Sequence, residues 1–376
     1  MKDVGIGLIG TGFMGKCHAM AFGAVKATFG DVPRPRLEFL CDPDPEVARR
    51  RAEEFGFARW TTDWRELVAD PAVEVVSITA PNRMHREMTE AVAGAGKVVY
   101  CEKPLALTLA DGAAMAEAVR AAGVASLTGY SYLRNPAVRH AKKLIEDGAI
   151  GRVVQFRGIY DEDYMADPAL PYIWRCRIED AGTGTLGDLT VHLISVARYL
   201  IDDIARVMGD IRTVHAERPD PEHPGHSGKV ENEDQANALI RFANGVQGVI
   251  GSSRVAWGRK CHLAWEVHGS AGMITFEQER MNELRIYRNR GDPAEQGFKT
   301  ILTGPSHPPY GRLNPAPGHG LGFNDLKVIE VAHLLRGLEG RETLYPNIDD
   351  ALHIERVIHG IISSSDRGAW ITVNEG

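Results

Sequence analysis

An apolar run at residues 4–9 passes straight into Gly10-Thr11-Gly12-Phe13-Met14-Gly15 and then into a stretch of helical character. In a strand–turn–helix of this kind the first glycine permits the tight turn. The second lets the backbone approach a pyrophosphate, and the third allows the helix to pack closely on the strand. The helix N-terminus adds amide donors and the positive end of its dipole. Glycine-rich turns are common, but the setting narrows this one. Residues 36–42 read as a second strand that closes on Asp42, whose carboxylate can accept both ribose hydroxyls of an adenosine and repel a 2′-phosphate. The spacing to Asp42 is long for such a unit, and residues 26–35, with two prolines, read as an insertion that accounts for the excess. The pattern predicts a βαβ unit that binds NAD in preference to NADP.

At 376 residues the chain has room for about two domains, each with its own core. Its net charge of −7 and lack of any basic block argue against nucleic acid or an anionic membrane as partner. No run is long and apolar enough to span a bilayer, and strand residues from Val4 onward are expected to leave no signal peptide. Cys17, Cys41, Cys101, Cys176 and Cys261 are scattered and odd in number, as expected of free thiols in a reducing cytoplasm. The histidines form no HExxH, and His223 and His226 lie in a Pro/Gly-rich stretch, so no metal site is expected.

Through the first third, short apolar runs at 73–78, 98–101 and 125–128 alternate with helical patterns at 45–55, 84–95 and 109–122. That alternation predicts α/β architecture, a doubly wound parallel sheet with ligand at the carboxyl ends of its strands. The texture changes near Tyr130. A helix at 136–147 leads into an alternating strand at 153–160, with further strands at 235–242, 246–253, 263–268, 273–277 and 284–287. Turns such as Ala243-Asn244-Gly245 indicate a large, mostly antiparallel open sheet. The expected division is therefore 1–130 and 131–376, the second domain being of α+β type. Residues 217–232 and 304–322 read as long loops.

Three segments carry chemistry. After the strand at 73–78, Thr79-Ala80-Pro81-Asn82 turns over the cofactor face, with Asn82 as a candidate helix cap and His85 close behind. Glu102-Lys103-Pro104 ends the strand at 98–101, where an ammonium can hydrogen-bond a substrate hydroxyl and favour a developing alkoxide. Gly182-Thr183-Gly184-Thr185-Leu186-Gly187 precedes a helix expected at about 188–201. Asp188 and His192 stand four apart on it, beside an apolar stripe of Leu189, Leu193, Val196, Ala197 and Leu200. A carboxylate next to an imidazole is the arrangement of a general base with its orienting partner.

Taken together, the glycine turn, Pro81-Asn82-x-x-His85, Glu102-Lys103-Pro104 and Gly187-Asp188-x-x-x-His192 resemble the Gfo/Idh/MocA oxidoreductases in order and spacing, over essentially the whole chain. Within the family the likeness runs to the levoglucosan and inositol dehydrogenases. It is carried by Phe13-Met14, Trp174-Arg175 and Gly304-Pro305-Ser306-His307-Pro308-Pro309-Tyr310-Gly311. The resemblance implies a catalytic set of Lys103, Asp188 and His192. It implies a cofactor lining of Gly10, Gly12, Phe13, Met14, Gly15, Asp42, Thr79, Ala80, Pro81, Asn82, His85, Glu102, Lys103, Trp174 and Arg175. Asp163, Arg175 and Tyr310 join Lys103, Asp188 and His192 as candidate substrate residues. One departure is Tyr130-Ser131-Tyr132-Leu133-Arg134-Asn135, which lacks the double arginine common in the family. The implied activity is NAD-dependent oxidation of a secondary hydroxyl of a cyclic sugar or polyol, by a cytoplasmic homodimer or homotetramer. A glycosidase that oxidises its sugar transiently and a non-enzymatic sensor are the alternatives, and the intact Lys103/Asp188/His192 set speaks against the sensor.

Overall fold

In a computed structural model, residues 3–373 are described. The chain divides into two compact units. One holds the residues through Arg134 together with Gly322–His353; the other holds Asn135–Leu321 and the residues from Ile354.

The first unit is built on a six-stranded parallel sheet of β1 (Val4–Ile9), β2 (Pro35–Cys41), β3 (Arg59–Thr61), β4 (Val75–Ile78), β5 (Val98–Cys101) and β6 (Ser126–Thr128). Their order is β3-β2-β1-β4-β5-β6, the doubly wound arrangement in which a crevice opens at the carboxyl ends of β1 and β4. Every residue of β1 is buried, as a central strand covered on both faces requires. Local chemistry sets the helix ends. Asp44 caps Pro45–Phe55 by accepting from the Glu46 and Val47 amides, and Gly56, at φ +79°, ends it.

Gly322–His353, expected with the second domain, belongs to this unit because its helix Phe323–Leu338 packs along the helix Phe13–Phe29. The expected insertion at 26–35 is also shorter. The helix of the glycine turn runs on to Phe29, and Lys26 donates to the carbonyls of Gly30 and Val32, so only 30–34 forms the connection.

The second unit carries β7 (Val153–Asp161), β8 (Ile204–Arg212), the short hairpin β9 (Glu217–Pro219) and β10 (Ser227–Lys229), and then β11 (Gln235–Phe242) and β12 (Gln247–Ser253). These are followed by β13 (His262–Gly269), β14 (Gly272–Glu277), β15 (Glu283–Arg288), β16 (Lys299–Leu302) and β17 (Ile371–Thr372). Nine of them form one sheet in the order β16-β15-β14-β13-β7-β12-β11-β8-β17, antiparallel throughout except for the β7–β12 pair. Ala236, Ala238, Ile240 and Phe242 of β11 are buried, whereas Asn237, Leu239 and Arg241 are exposed, so this sheet has one covered and one open face. The helix Val191–Leu200 lies on the covered face, where a side chain at Gly158 would run into Leu193. The strand at 204–212 escapes sequence reading because Gly209-Asp210 interrupt its alternation. Gly209 is required there: a Cβ would meet the backbone of Ile361 on the helix Ile348–Arg367. The stretch 217–232, expected as loop, contains the β9–β10 hairpin. The stretch 304–322 is loop apart from the short helix Tyr310–Leu313.

Candidate functional site

The glycine turn has the geometry expected of a phosphate cradle. Gly10 sits at φ +91°, with Thr79 Oγ1 donating to its carbonyl at 2.8 Å. A Cβ at Gly15 would lie 2.2 Å from the Gly10 carbonyl oxygen, so that glycine is fixed by helix–strand packing. Gly12 differs, since a Cβ there meets no protein atom. The open space there leaves room for backbone to meet a pyrophosphate. Asp42 follows β2 immediately and accepts a short hydrogen bond from Thr11 Oγ1. Carboxylate, turn and helix N-terminus therefore stand together on one edge, and the residues fit an NAD adenosine and pyrophosphate. Phe13 is exposed and stacks at 5.8 Å on Phe323, with Met14 beside it at the start of the helix.

After β4, Thr79 joins the cradle, and Asn82 opens a 3-10 turn ahead of the helix His85–Gly94. The N-cap positions of these two elements are Pro81 and Met84, and neither makes a side-chain cap. His85 is buried between two loops, with Nε2 3.0 Å from the Ala80 carbonyl oxygen and Nδ1 3.0 Å from that of Pro104. Burial lowers its pKa against the pull of those carbonyls. It ties the Thr79-Ala80-Pro81 turn to the Lys103-Pro104 turn, and so acts as a strut between cofactor-facing segments.

Glu102 anchors that second turn from below. Its Oε1 accepts from Lys327 Nζ at 2.5 Å and lies 2.8 Å from His18 Nε2. Lys327 also donates to Glu330 Oε1 at 2.7 Å, on which the Tyr100 hydroxyl converges at 2.5 Å. With Ser77 Oγ at 2.7 Å from His18 Nδ1, the neutral Nε2–H form of His18 satisfies both contacts. Burial alone would raise the Glu102 pKa, but Lys327 and His18 outweigh it and hold the carboxyl far below its ordinary range. Glu102 Oε2 meanwhile accepts from the Lys103 amide at 3.2 Å. Gly129 gives way to the carboxylate: a Cβ there would lie 2.3 Å from Glu102 Oε1. The half-buried Lys103 thus follows directly on a buried carboxylate that is held ionised by Lys327 and His18.

In the second unit the helix expected from about Asp188 does not begin as a plain α-helix. Leu186–Thr190 forms a π-helical turn and the α-helix begins at Val191. Asp188 therefore lies on the π turn and His192 on the α-helix that follows it, a distortion frequent at functional sites. The Tyr164 hydroxyl donates to Asp188 Oδ2 at 2.6 Å, and Arg175 Nε lies 3.6 Å from the same oxygen. Burial and the neighbouring Asp188 push the Tyr164 phenol well above its ordinary pKa, which keeps it a donor. His192 is buried, its ring 6.0 Å from that of Tyr160.

The turn is held from a distance. Glu233 Oε1 accepts from the Gly184 and Leu186 amides, both at 2.8 Å, and its carbonyl accepts from the Thr185 amide. Gly184 must be glycine because a Cβ would lie 2.0 Å from that carbonyl oxygen. Arg254, paired with Asp234 at 2.8 Å, and Asn232 both donate toward the Arg175 carbonyl. Trp174 stacks beneath the Arg175 guanidinium at 4.4 Å.

Two candidate substrate residues are placed differently from the rest. Asp163 is bound by Lys260 Nζ at 2.7 Å and by the Gly258 amide at 3.1 Å. Tyr310 is fully buried, and its hydroxyl accepts from the Gly320 amide, which makes it a core of its own loop. Conversely, Tyr164, Glu233, His18 and Lys327 support the site without having been singled out for that role by the sequence. For Lys327 a signal exists: with Glu330 it interrupts the apolar run at 326–335 at i,i+3 spacing.

Comparison with known proteins agrees with this geometry. Residues 4–130 match the oxidoreductase family's NAD-binding Rossmann fold, and residues 138–275 the Gfo/Idh/MocA C-terminal domain. A levoglucosan dehydrogenase of Pseudarthrobacter phenanthrenivorans is 37% identical over 99% of this chain and 99% of its own. A myo-inositol 2-dehydrogenase of Thermotoga maritima is 32% identical over 76% of this chain and 79% of its own. A levoglucosan dehydrogenase structure in complex with NADH and L-sorbose superposes with a TM-score of 0.96 at 38% identity, covering 99% of both chains.

Proposed function

Because the chain belongs to the Gfo/Idh/MocA oxidoreductases and carries their NAD-binding domain, we propose that it oxidises a secondary hydroxyl of an anhydro-sugar, levoglucosan first, to a ketone. Bound NAD supplies the hydride acceptor. His192 takes the hydroxyl proton as the carbon-bound hydrogen leaves with its electron pair. Lys103 stabilises the charge that develops on the oxygen, and Asp188, oriented by Tyr164 and Arg175, positions and offsets the imidazolium.

The observation that carries this reading is the concentration of buried support on two short segments. Glu102 and its partners hold Lys103, while Glu233, Tyr164 and Arg254 hold 184–192. A protein that only senses a sugar has no need of a base and an alkoxide-stabilising cation kept so rigidly. Levoglucosan is favoured over inositol by full-length similarity to the levoglucosan enzyme, against partial coverage for the inositol enzyme. Incubation with NAD and levoglucosan, myo-inositol or scyllo-inositol should accumulate NADH, read by its near-ultraviolet absorbance, fastest with levoglucosan. Sugar turnover without NADH accumulation would indicate transient oxidation within a glycosidase instead.

A homo-oligomer, dimer or tetramer, is also proposed. It is supported by Met208, Leu239 and Val249, adjacent in the strand register and all exposed on the open face of the sheet. Light scattering on the purified protein checks it, and a monomer at micromolar concentration would refute it.

A further inference from the structure

The open face of the nine-stranded sheet carries a second group of side chains, across the sheet from the helix that bears His192. His262 opens β13, Glu277 closes β14 and Glu279 follows two residues later. In the antiparallel register Glu277 pairs with Ala264, and Asp161 pairs with His262, so His262, Glu277 and Asp161 project from the same face. One donor atom from each of His262, Glu277 and Glu279 lies within 4.8 Å of the others.

The imidazole decides what this group is. The His262 side chain is 9% exposed, and its buried Nδ1 has no hydrogen-bond partner. That atom stands 3.5 Å from Glu277 Oε1 and 3.5 Å from Glu279 Oε2. Other histidine–carboxylate pairs in the chain close to hydrogen-bond distance: His333–Glu342 at 2.5 Å, His18–Glu102 at 2.8 Å, His223–Asp220 at 2.9 Å and His268–Glu266 at 3.0 Å. His262 Nδ1 instead stands at equal distance from two carboxylates and hydrogen-bonds to neither. Donors bound at about 2.1 Å to a tetrahedral cation are separated by about 3.4 Å, close to the separation of Nδ1 from each of the two carboxylate oxygens.

We propose that His262, Glu277 and Glu279 form a binding site for a divalent transition-metal cation of zinc type. One imidazole nitrogen and two carboxylate oxygens suit such a borderline cation, with water as the fourth ligand. Two carboxylates against one dication also leave no uncompensated positive charge. Glu279 is preorganised for the role: its Oε1 accepts from the Lys260 amide at 2.8 Å and the Cys261 amide at 3.4 Å, which leaves Oε2 toward His262. Arg259 Nη1, 3.4 Å from Oε2, is the group that the cation must displace or share with. Asp161 adds a further carboxylate on the same face. The bound ion staples the start of β13 to the end of β14, and so fixes the 256–261 loop from which Lys260 reaches Asp163.

The sequence gives little sign of this site, because its ligands come from two strands and a following turn and form no spaced motif. Chelator-treated, dialysed protein should be titrated with Zn²⁺ by calorimetry and with Co²⁺ by visible absorption. One ion per chain is expected, with the intense bands of four-coordinate cobalt and a raised melting temperature. Glu277→Gln, on a partly exposed strand end, keeps shape and should fold as the parent does. It and His262→Ala should each weaken binding by at least the roughly 10–100-fold that loss of an outer-shell partner costs. Absence of stoichiometric binding by the parent overturns the proposal. So does binding that survives both substitutions, which would place the ion elsewhere.

Discussion

Each unit holds a candidate catalytic segment by a buried carboxylate, and the two do so in opposite ways. In the first unit Glu102 is ionised and balanced by a buried cation, Lys327, with His18, Glu330 and Tyr100 closing the set. In the second unit Glu233 spends one oxygen on two backbone amides, and burial raises its pKa against their pull. The first device is strong and intolerant, because removal of any charge strands another in a low-dielectric interior. The second is a shape device, in which the acceptor matters more than its charge.

The largest expected effect follows from that contrast. Lys327→Met leaves Glu102 and Glu330 without their buried cation and should cost about 3–5 kcal/mol in denaturant unfolding. Adding Glu330→Gln should return part of the loss. A cost no greater than that of a surface substitution would show the network to be idle.

Glu233 should behave more mildly. Glu233→Ala orphans the Gly184 and Leu186 amides and should cost about 1–3 kcal/mol, whereas Glu233→Gln keeps an acceptor and should cost about 1 kcal/mol or less. Equal losses from the two would make charge the operative property and erase the contrast.

Acid should also separate the units. Burial lowers the pKa of His18, His85 and His333 in the first unit and of His140 and His359 in the second. Their folded pKa values lie below the ordinary value near 6.5, so below that pH the unfolded chain binds more protons than the folded one. Stability then rises with pH up to about 6.5 and falls on acidification from there, by as much as about 1.4 kcal/mol per pH unit for each histidine that titrates. Hydrogen exchange at pH 5 should show the greater loss of protection in the first unit. Uniform loss, or none, would contradict the assignment.

The smallest effect concerns the cofactor. Asp42 should favour NAD over NADP at least tenfold in kcat/KM, about 1.4 kcal/mol. Asp42→Ser should narrow the ratio, and an unchanged ratio would remove Asp42 from that role.

The legible parts of the molecule are those whose constraints are local. Gly10 and Asp42 lie at strand ends and Gly15 in the first turn of the helix that follows, all announced by local composition, and the helices 45–55 and 109–122 begin and end where capping residues and glycines place them. The segment around His192 was legible in residue type but not in geometry. Its π-helical turn is held by Glu233, nearly fifty residues on from Gly184, and no spacing within 181–192 records that. Lys327 breaks an apolar run together with Glu330, but a lysine inside a helix reads as solvated until the carboxylates that surround it are known. The strand 204–212 was lost to its glycine, which the crossing helix requires.

The central claim is that His192 is the base in an NAD-dependent oxidation, and steady-state kinetics of His192→Ala beside calorimetric NAD titration test it most directly. The account predicts a folded protein with unchanged NAD affinity and a kcat lowered by roughly two to four orders of magnitude. Near-normal turnover in that protein would contradict it.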